Sequence, residues 1–281
     1  MHYLTDPLQY AFMQRALIGT IAVGILAAVI GCFVVLRRLS FIGEGLAHGS
    51  LAGLAIGYMF GWNLYIAGSL YTVGLALVIG LLHEKARVSL DTAIGILFST
   101  SMALGVALIS GMKFYTTDLN SYLFGSVLAI TQEDLYIIVS AAVLILLTLA
   151  IFYKEFLFYT FDPEMAEVVG LPRARLHYLM LAMIAITVVV AAQTVGIILV
   201  TALLVIPAAS AFQWTRSFKT MLLLAMLFGV SSAVIGLYVS YYLNIASGAS
   251  IALSASFFFL ISFLLSASRP GLRRSLGFKA K

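Results

Sequence analysis

Charge is what this sequence has least of. Only 10% of its 281 residues are charged, while 63% are hydrophobic. A soluble domain carries about a quarter charged residues, so these few cannot cover the surface of a water-soluble globule. The mean hydropathy of +1.10 says the same. Cysteine is nearly absent too. The single Cys32 excludes an internal disulfide and a cysteine-based metal cage, and leaves packing as its role. Several catalytic patterns are also missing. No G-x-x-x-x-G-K-[ST] phosphate loop occurs, so the chain is not expected to hydrolyse ATP. His83-Glu84 begins like a zinc-protease motif, but the second histidine would fall at Arg87. A basic-acidic turn is the better reading there, and no serine–histidine–aspartate set replaces it. The chain is therefore not expected to be an enzyme. Residues 1–14 lack the basic start of a cleaved signal and contain Asp6 and Pro7.

What the sequence has is long apolar runs, at 15–36, 46–60, 64–82, 92–110, 135–153, 178–193, 195–212, 220–243 and 250–267. Each is near the ~20 residues a membrane-spanning helix needs. In lipid every backbone N–H and C=O needs an internal partner, so continuous runs of this length predict helices. Barrel strands would alternate over about ten residues. The expected fold is all-α, a polytopic transmembrane bundle of eight or nine spans, organised as one transmembrane domain over residues 1–281. The second run is short and extends upstream through Glu44 or fails to cross. A tenth stretch, 122–130, is too short to span and is expected at the outer surface.

Lys and Arg concentrate after alternate runs: Arg37 and Arg38, Lys85 and Arg87, Lys154, Arg173 and Arg175, Arg216 and Lys219, then Arg269, Arg273, Arg274, Lys279 and Lys281. The opposite side has Lys113, with Arg15 at the start of the first run. By the positive-inside rule this places the N-terminus outside and the C-terminus in the cytoplasm. The net charge of +5 thus reads as membrane orientation, with no nucleic-acid partner.

The first candidate site lies in Phe41-Ile-Gly-Glu-Gly-Leu-Ala-His-Gly-Ser-Leu-Ala-Gly53. Glu44 and His48 are four apart and share one face of a helix. A carboxylate and an imidazole at that spacing can grip a divalent ion such as zinc or manganese. Ionisable groups near a span are costly and usually functional. The plainer alternative is a Glu–His hydrogen bond at a helix end. The small neighbours Gly43, Gly45, Ala47 and Gly49 leave room for an ion, or for another helix pressed close. Across 154–177 lies the longest loop of the basic side. In it Asp162 can cap a short helix over 163–169, with Pro163 at its first position, Glu164 in the first turn and Gly170 as a C-cap. Such a helix is either a lever for a cytoplasmic partner or an ordinary structured loop. Asp91, or Ser89, can cap the fourth run. Asp118 caps a surface helix or touches an outer partner. Pro207 should kink the seventh span or mark its inner end. His2 and His177 fall at segment edges and are expected to be solvated.

Six segments, in order along the chain, resemble the membrane permease of zinc and manganese ABC importers. They are Glu44-Gly-Leu-Ala-His48-Gly-Ser-Leu-Ala-Gly53, Asp91-Thr-Ala-Ile-Gly-Ile96, Leu119-Asn-Ser-Tyr-Leu-Phe-Gly125, Phe161-Asp-Pro-Glu-Met-Ala-Glu-Val-Val-Gly-Leu-Pro172, the run over 195–208, and Ser240-Tyr-Tyr-Leu-Asn-Ile-Ala-Ser-Gly248. The resemblance implies a subunit of the prokaryotic cell membrane, surrounded by lipid and paired with a second permease chain as a homodimer. It further implies two cytoplasmic ATPase subunits and an extracytoplasmic protein that delivers the metal. It implies that Glu44 and His48 contact the transported zinc or manganese, with no permanently bound cofactor. It also implies that the segment holding Phe161, Asp162, Pro163, Glu164, Glu167 and Gly170 meets the ATPase, and that the outer loops near Asp118 meet the delivery protein. The family's usual aspartate is Glu44 here, one methylene longer. The competing readings are a self-sufficient cation carrier or channel, and an ABC permease for a metal chelate.

Overall fold

The computed structural model describes residues 6–86, 88–111 and 127–267. Within them the chain is helical, with no strand. The helices are α1 (Ala11–Leu36), α2 (Ile42–Phe60), α3 (Leu64–Ala86), α4 (Leu90–Ser110), α5 (Gln132–Ile151), α6 (Tyr153–Phe161), α7 (Pro163–Val168), α8 (Arg173–Val195), α9 (Ile197–Phe212), α10 (Phe218–Leu243) and α11 (Ser247–Ala267). Seven of these, α1, α3, α4, α5, α8, α10 and α11, are long and apolar enough to cross a membrane. The remaining two apolar runs became α2, which carries Glu44 and His48, and α9, a shorter apolar helix. All nine runs are therefore helices, and the second begins upstream of Glu44, at Ile42.

Burial sorts the bundle into centre and periphery. Helices α1 and α8 are buried along most of their length, whereas α4, α5 and α11 expose most of theirs. Large apolar side chains such as Leu70, Leu144, Leu223, Leu253 and Leu264 point outward, as a lipid solvent permits. Helix α1 packs on α9, α10 and α5, and α8 packs on α3. Hydroxyls inside the spans return their hydrogens to carbonyls one turn back, as in Thr20 Oγ1 to Ala16 O (2.7 Å) and Thr187 Oγ1 to Met183 O (2.8 Å). That spares them an unpaired polar group in hydrocarbon. Cys32 is buried, with Sγ 4.0 Å from the Met221 carbonyl.

The helix ends follow local chemistry. Ser89, not Asp91, caps α4, its Oγ accepting from Thr92 N at 3.1 Å. Ser89 wins because it alone stands in extended backbone just ahead of the first turn, and Asp91 is already inside that turn. Thr131 and Asp134 form a reciprocal capping box on α5. Pro207 lies inside α9 without ending it, since the helix continues to Phe212. From the 122–130 stretch, the described part is a short 3-10 turn, Val127–Ala129, and Val127 and Ile130 are buried, packed toward α1 rather than lying free on the surface.

Among the described residues most Lys and Arg gather at one end, with Arg15, near the start of α1, at the other. Arg37, Glu84, Arg173 and Arg175 line a single cavity there, and Arg38 and Arg216 line a second. At the opposite end Tyr65 donates to Asp134, and Gln193 Nε2 reaches the Leu64 carbonyl at 3.3 Å. Consecutive spans thus alternate in direction, as the Lys and Arg pattern requires.

Candidate functional site

Glu44 lies in the first turn of α2 and His48 one turn deeper. An acid in a first turn is also favoured by the helix dipole. The rest of α2 is clamped. Gly45 sits so close to α4 that a Cβ there would lie 2.6 Å from Ile94 Cγ2, and one on Gly49 would lie 2.5 Å from Leu75 Cδ2 of α3. The small residues around the pair therefore serve close helix approach; they do not open a chamber for an ion. Ser101 of α4 donates to the Gly49 carbonyl at 2.7 Å, and Tyr71 of α3 pairs with the same hydroxyl at 2.8 Å. The turn after His48 is thereby pinned to two neighbouring helices.

One stripe of α2 is only partly covered by the rest of this chain. It runs through Glu44, His48, Leu51 and Tyr58, of which Glu44 and Tyr58 are exposed and the others half-buried. These positions recur at intervals of about one and two turns, so they form one face. Phe98 of α4 stands beside His48, ring centroids 5.8 Å apart and edge to face. Among the described residues no group of three or more His, Cys, Asp or Glu side chains converges to hold a metal. Glu44 and His48 thus place a carboxylate and an imidazole one turn apart on the less covered face of α2.

The second region is α7. Asp162 opens it, its carboxylate accepting from Met165 N at 2.9 Å, with Pro163 at the first position. It closes through Gly170 at φ +85 and a backbone bond from Leu171 N to Ala166 O of 2.9 Å. Glu167 pairs with Arg173 at 3.1 Å; both are largely exposed, so the pair adds little. Ala166 faces inward, while Phe161, Met165, Val168 and Val169 are exposed, Val168 at 76%. Four large apolar side chains at a polar end of a membrane bundle form a surface that would gain from being covered.

A feature the sequence did not reveal lies between these regions. His177, expected to be solvated, is buried at 7% exposure. Its Nδ1 is 2.8 Å from the Tyr159 hydroxyl. That hydroxyl also accepts from Arg37 Nη2 at 2.9 Å, and the guanidinium carbon lies 4.5 Å from the Tyr159 ring centroid. The position at the start of α8 misled: α6 folds back over that end and covers it. The only sequence signal was a tyrosine and a histidine in one loop beside an arginine at a distant helix end. A polar cavity of about 650 Å³ adjoins the group, lined in part by Arg37, Glu84, Tyr159, Arg173 and His177. Burial raises the Tyr159 phenol pKa above its usual value. Asp118 lies outside the described residues, as do Lys113 and Arg87.

The family profile described as the ABC 3 transport family matches residues 9–266. The manganese transport system membrane protein MntC of Listeria innocua is 46% identical over 272 residues, covering 97% of this chain and 96% of the relative. The manganese import system permease protein ScaB of Streptococcus gordonii is 37% identical over 267 residues, covering 95% of this chain and 96% of the relative. A solved structure, PsaBC from Streptococcus pneumoniae in complex with Fab, superposes with a TM-score of 0.85 at 37% identity, covering 97% of both chains.

Proposed function

Since the chain belongs to the ABC 3 transport family, we propose that it is the membrane permease of an importer whose cargo is manganese. Relatives at 46% and 37% identity carry manganese transport in their names, and an oxygen–nitrogen donor pair is compatible with that ion. The observation that carries the reading is the open stripe of α2, where Glu44 and His48 project from a helix otherwise locked into its own bundle. Two such chains facing one another would bring four donors to a shared axis. A site of few ligands holds a divalent cation briefly and releases it, which a transit site requires.

Helix α7 is the contact for a cytoplasmic ATPase, with Phe161, Asp162, Pro163, Glu164, Glu167 and Gly170 shaping it. Its exposed apolar face supports this. An extracytoplasmic binding protein delivers the ion at the end opposite Arg37, and Asp118 belongs to that side. The N-terminus then lies outside and the C-terminus in the cytoplasm, in agreement with the positive-inside rule. The domain plan is one permease unit over residues 1–281, with the α6–α8 connection as its cytoplasmic arm.

The test is reconstitution of the permease with its ATPase in proteoliposomes and measurement of manganese uptake against zinc. Glu44→Ala and His48→Ala should each cut uptake by at least about tenfold while the complex still assembles. Normal uptake by both variants in assembled complexes would remove the transit site from α2. Preferential uptake of zinc would reassign the cargo.

A further inference from the structure

We propose that Tyr159 is a positioning residue which links the ATPase-contact helix α7 to the metal-bearing helix α2, acting through Arg37. This rests on the reading of α7 and of Glu44 and His48 given above. Helix α7 is not a free flap. A single residue, Asp162, separates it from α6, and Asp162 N bonds back to Phe158 O at 3.0 Å, so a force on α7 reaches α6 directly. Helix α6 is in turn rooted in the bundle by Phe156 and Tyr159, which are 0% and 1% exposed. Phe156 is an apolar anchor in the core, edge-on to Phe33 at 6.3 Å. Tyr159 carries the polar connection.

Three elements meet at its hydroxyl. Arg37, the C-cap of α1, donates from Nη2 at 2.9 Å, and its Nη1 reaches the Tyr159 carbonyl at 3.5 Å. His177 of α8 completes the set at 2.8 Å. A buried phenol keeps its hydrogen, so it donates to His177 Nδ1 while accepting from Arg37. The path onward is short and stiff. Arg38, in the left-handed region at φ +58, turns the chain. Leu39 N bonds Val34 O at 2.9 Å and Ile42 N bonds Leu39 O at 2.9 Å. Glu44 follows in the next turn. A displacement of Tyr159 therefore pulls on the guanidinium at the C-terminal end of α1, just ahead of the turn that starts α2. The adjoining polar cavity of about 650 Å³ leaves these side chains room to rearrange.

The decisive variant is Tyr159→Phe, which keeps the ring, its packing and its contact with the guanidinium, and removes only the hydroxyl. In proteoliposomes holding permease and ATPase, manganese imported per ATP hydrolysed should fall about tenfold, the scale of losing a hydrogen bond to a charged group. The ATPase rate and complex yield should stay as in the parent, and the melting temperature should fall only by what one lost buried hydrogen bond accounts for. Arg37→Lys keeps the charge but loses the fork that spans hydroxyl and carbonyl, and should uncouple in the same way. An unchanged ratio in both variants overturns the proposal. So does a parallel drop in ATPase rate, import and melting temperature at constant ratio, which marks a purely structural residue. Glu44→Ala in the same assay separates the two levels. If it blocks import while Tyr159→Phe stays coupled, the link alone has failed; if it imports normally, the transit-site reading has failed.

Discussion

The cap of α7 gives the sharpest energetic prediction. The helix has six residues, and its first turn is held by the Asp162 carboxylate at Met165 N, 2.9 Å away. At its margins Ala166 N bonds Asp162 O and Val169 N bonds Met165 O, each at 3.0 Å. A helix this short is not stable by itself, so its population depends on the cap, on buried Ala166 and on continuity with α6. Asp162→Ala removes a bond worth about 1 kcal/mol, roughly a fivefold loss in the ratio of formed to unformed helix. If that face receives the ATPase, association in detergent or nanodiscs should weaken by up to about the same factor, and uptake at limiting ATPase should follow. Asn caps nearly as well as Asp, so Asp162→Asn should stay within about twofold of the parent. Equal damage from Asn and Ala would show that the negative charge matters and the cap does not. No effect from Ala would show that α7 forms without its cap, and the reasoning would fail.

Other expectations are more direct. Glu44→Ala and His48→Ala should each cut radiolabelled manganese uptake by at least about tenfold, the minimum for losing a hydrogen-bonding or ligating partner to a charge, with ATPase association unchanged in pull-down. Gly31→Ala should be poorly tolerated, because its Cβ would lie 1.8 Å from the Leu204 carbonyl oxygen, a backbone atom of α9 that cannot swing aside. Overpacking of that kind costs about 1–3 kcal/mol or more, visible as lost monodisperse protein in fluorescence-detected size exclusion; a parent-like profile would contradict the α1–α9 packing. Ser101→Ala removes the donor to the Gly49 carbonyl and the partner of Tyr71, so the melting temperature should drop by an amount matching about 1 kcal/mol.

The sequence made the spans easy to read, because lipid forces apolar segments of sufficient length into helices and leaves little choice. It also showed the bounds of α7, since Asp162, Pro163 and Gly170 are local signals that act through their immediate backbone. What it hid was non-local. Ser89 and Asp91 are both plausible caps from composition, and only the extended backbone at Ser89 decides between them. His177 sits at a span edge, where exposure is the sensible guess, yet α6 folds over it and brings Tyr159 from eighteen positions away. Arg37 joins the same group across 122 positions. No periodicity encodes such a meeting, because it depends on how α1, α6 and α8 are placed together. Likewise Gly45 and Gly49 read equally well as space for an ion or as contact surface until Ile94 and Leu75 are seen against them.

That last distinction bears on how access to the site can change. Helix α2 is keyed into α4 at Gly45, into α3 at Gly49 and Gly53, and into α9 at Gly43, where a Cβ would lie 2.6 Å from Leu204 Cδ2. Rotation about its own axis by a single residue's step would turn these side-chain-free positions away and drive Leu46 or Ser50 into their place. A packed interior resists that more than it resists rigid displacement. Glu44 and His48 therefore change their surroundings most cheaply when α2 moves with α3 and α4 as one block, against whatever covers the open stripe. The stiff turn from Arg37 to Ile42 is the part of the fold suited to passing such a displacement on, because a flexible linker there would absorb it.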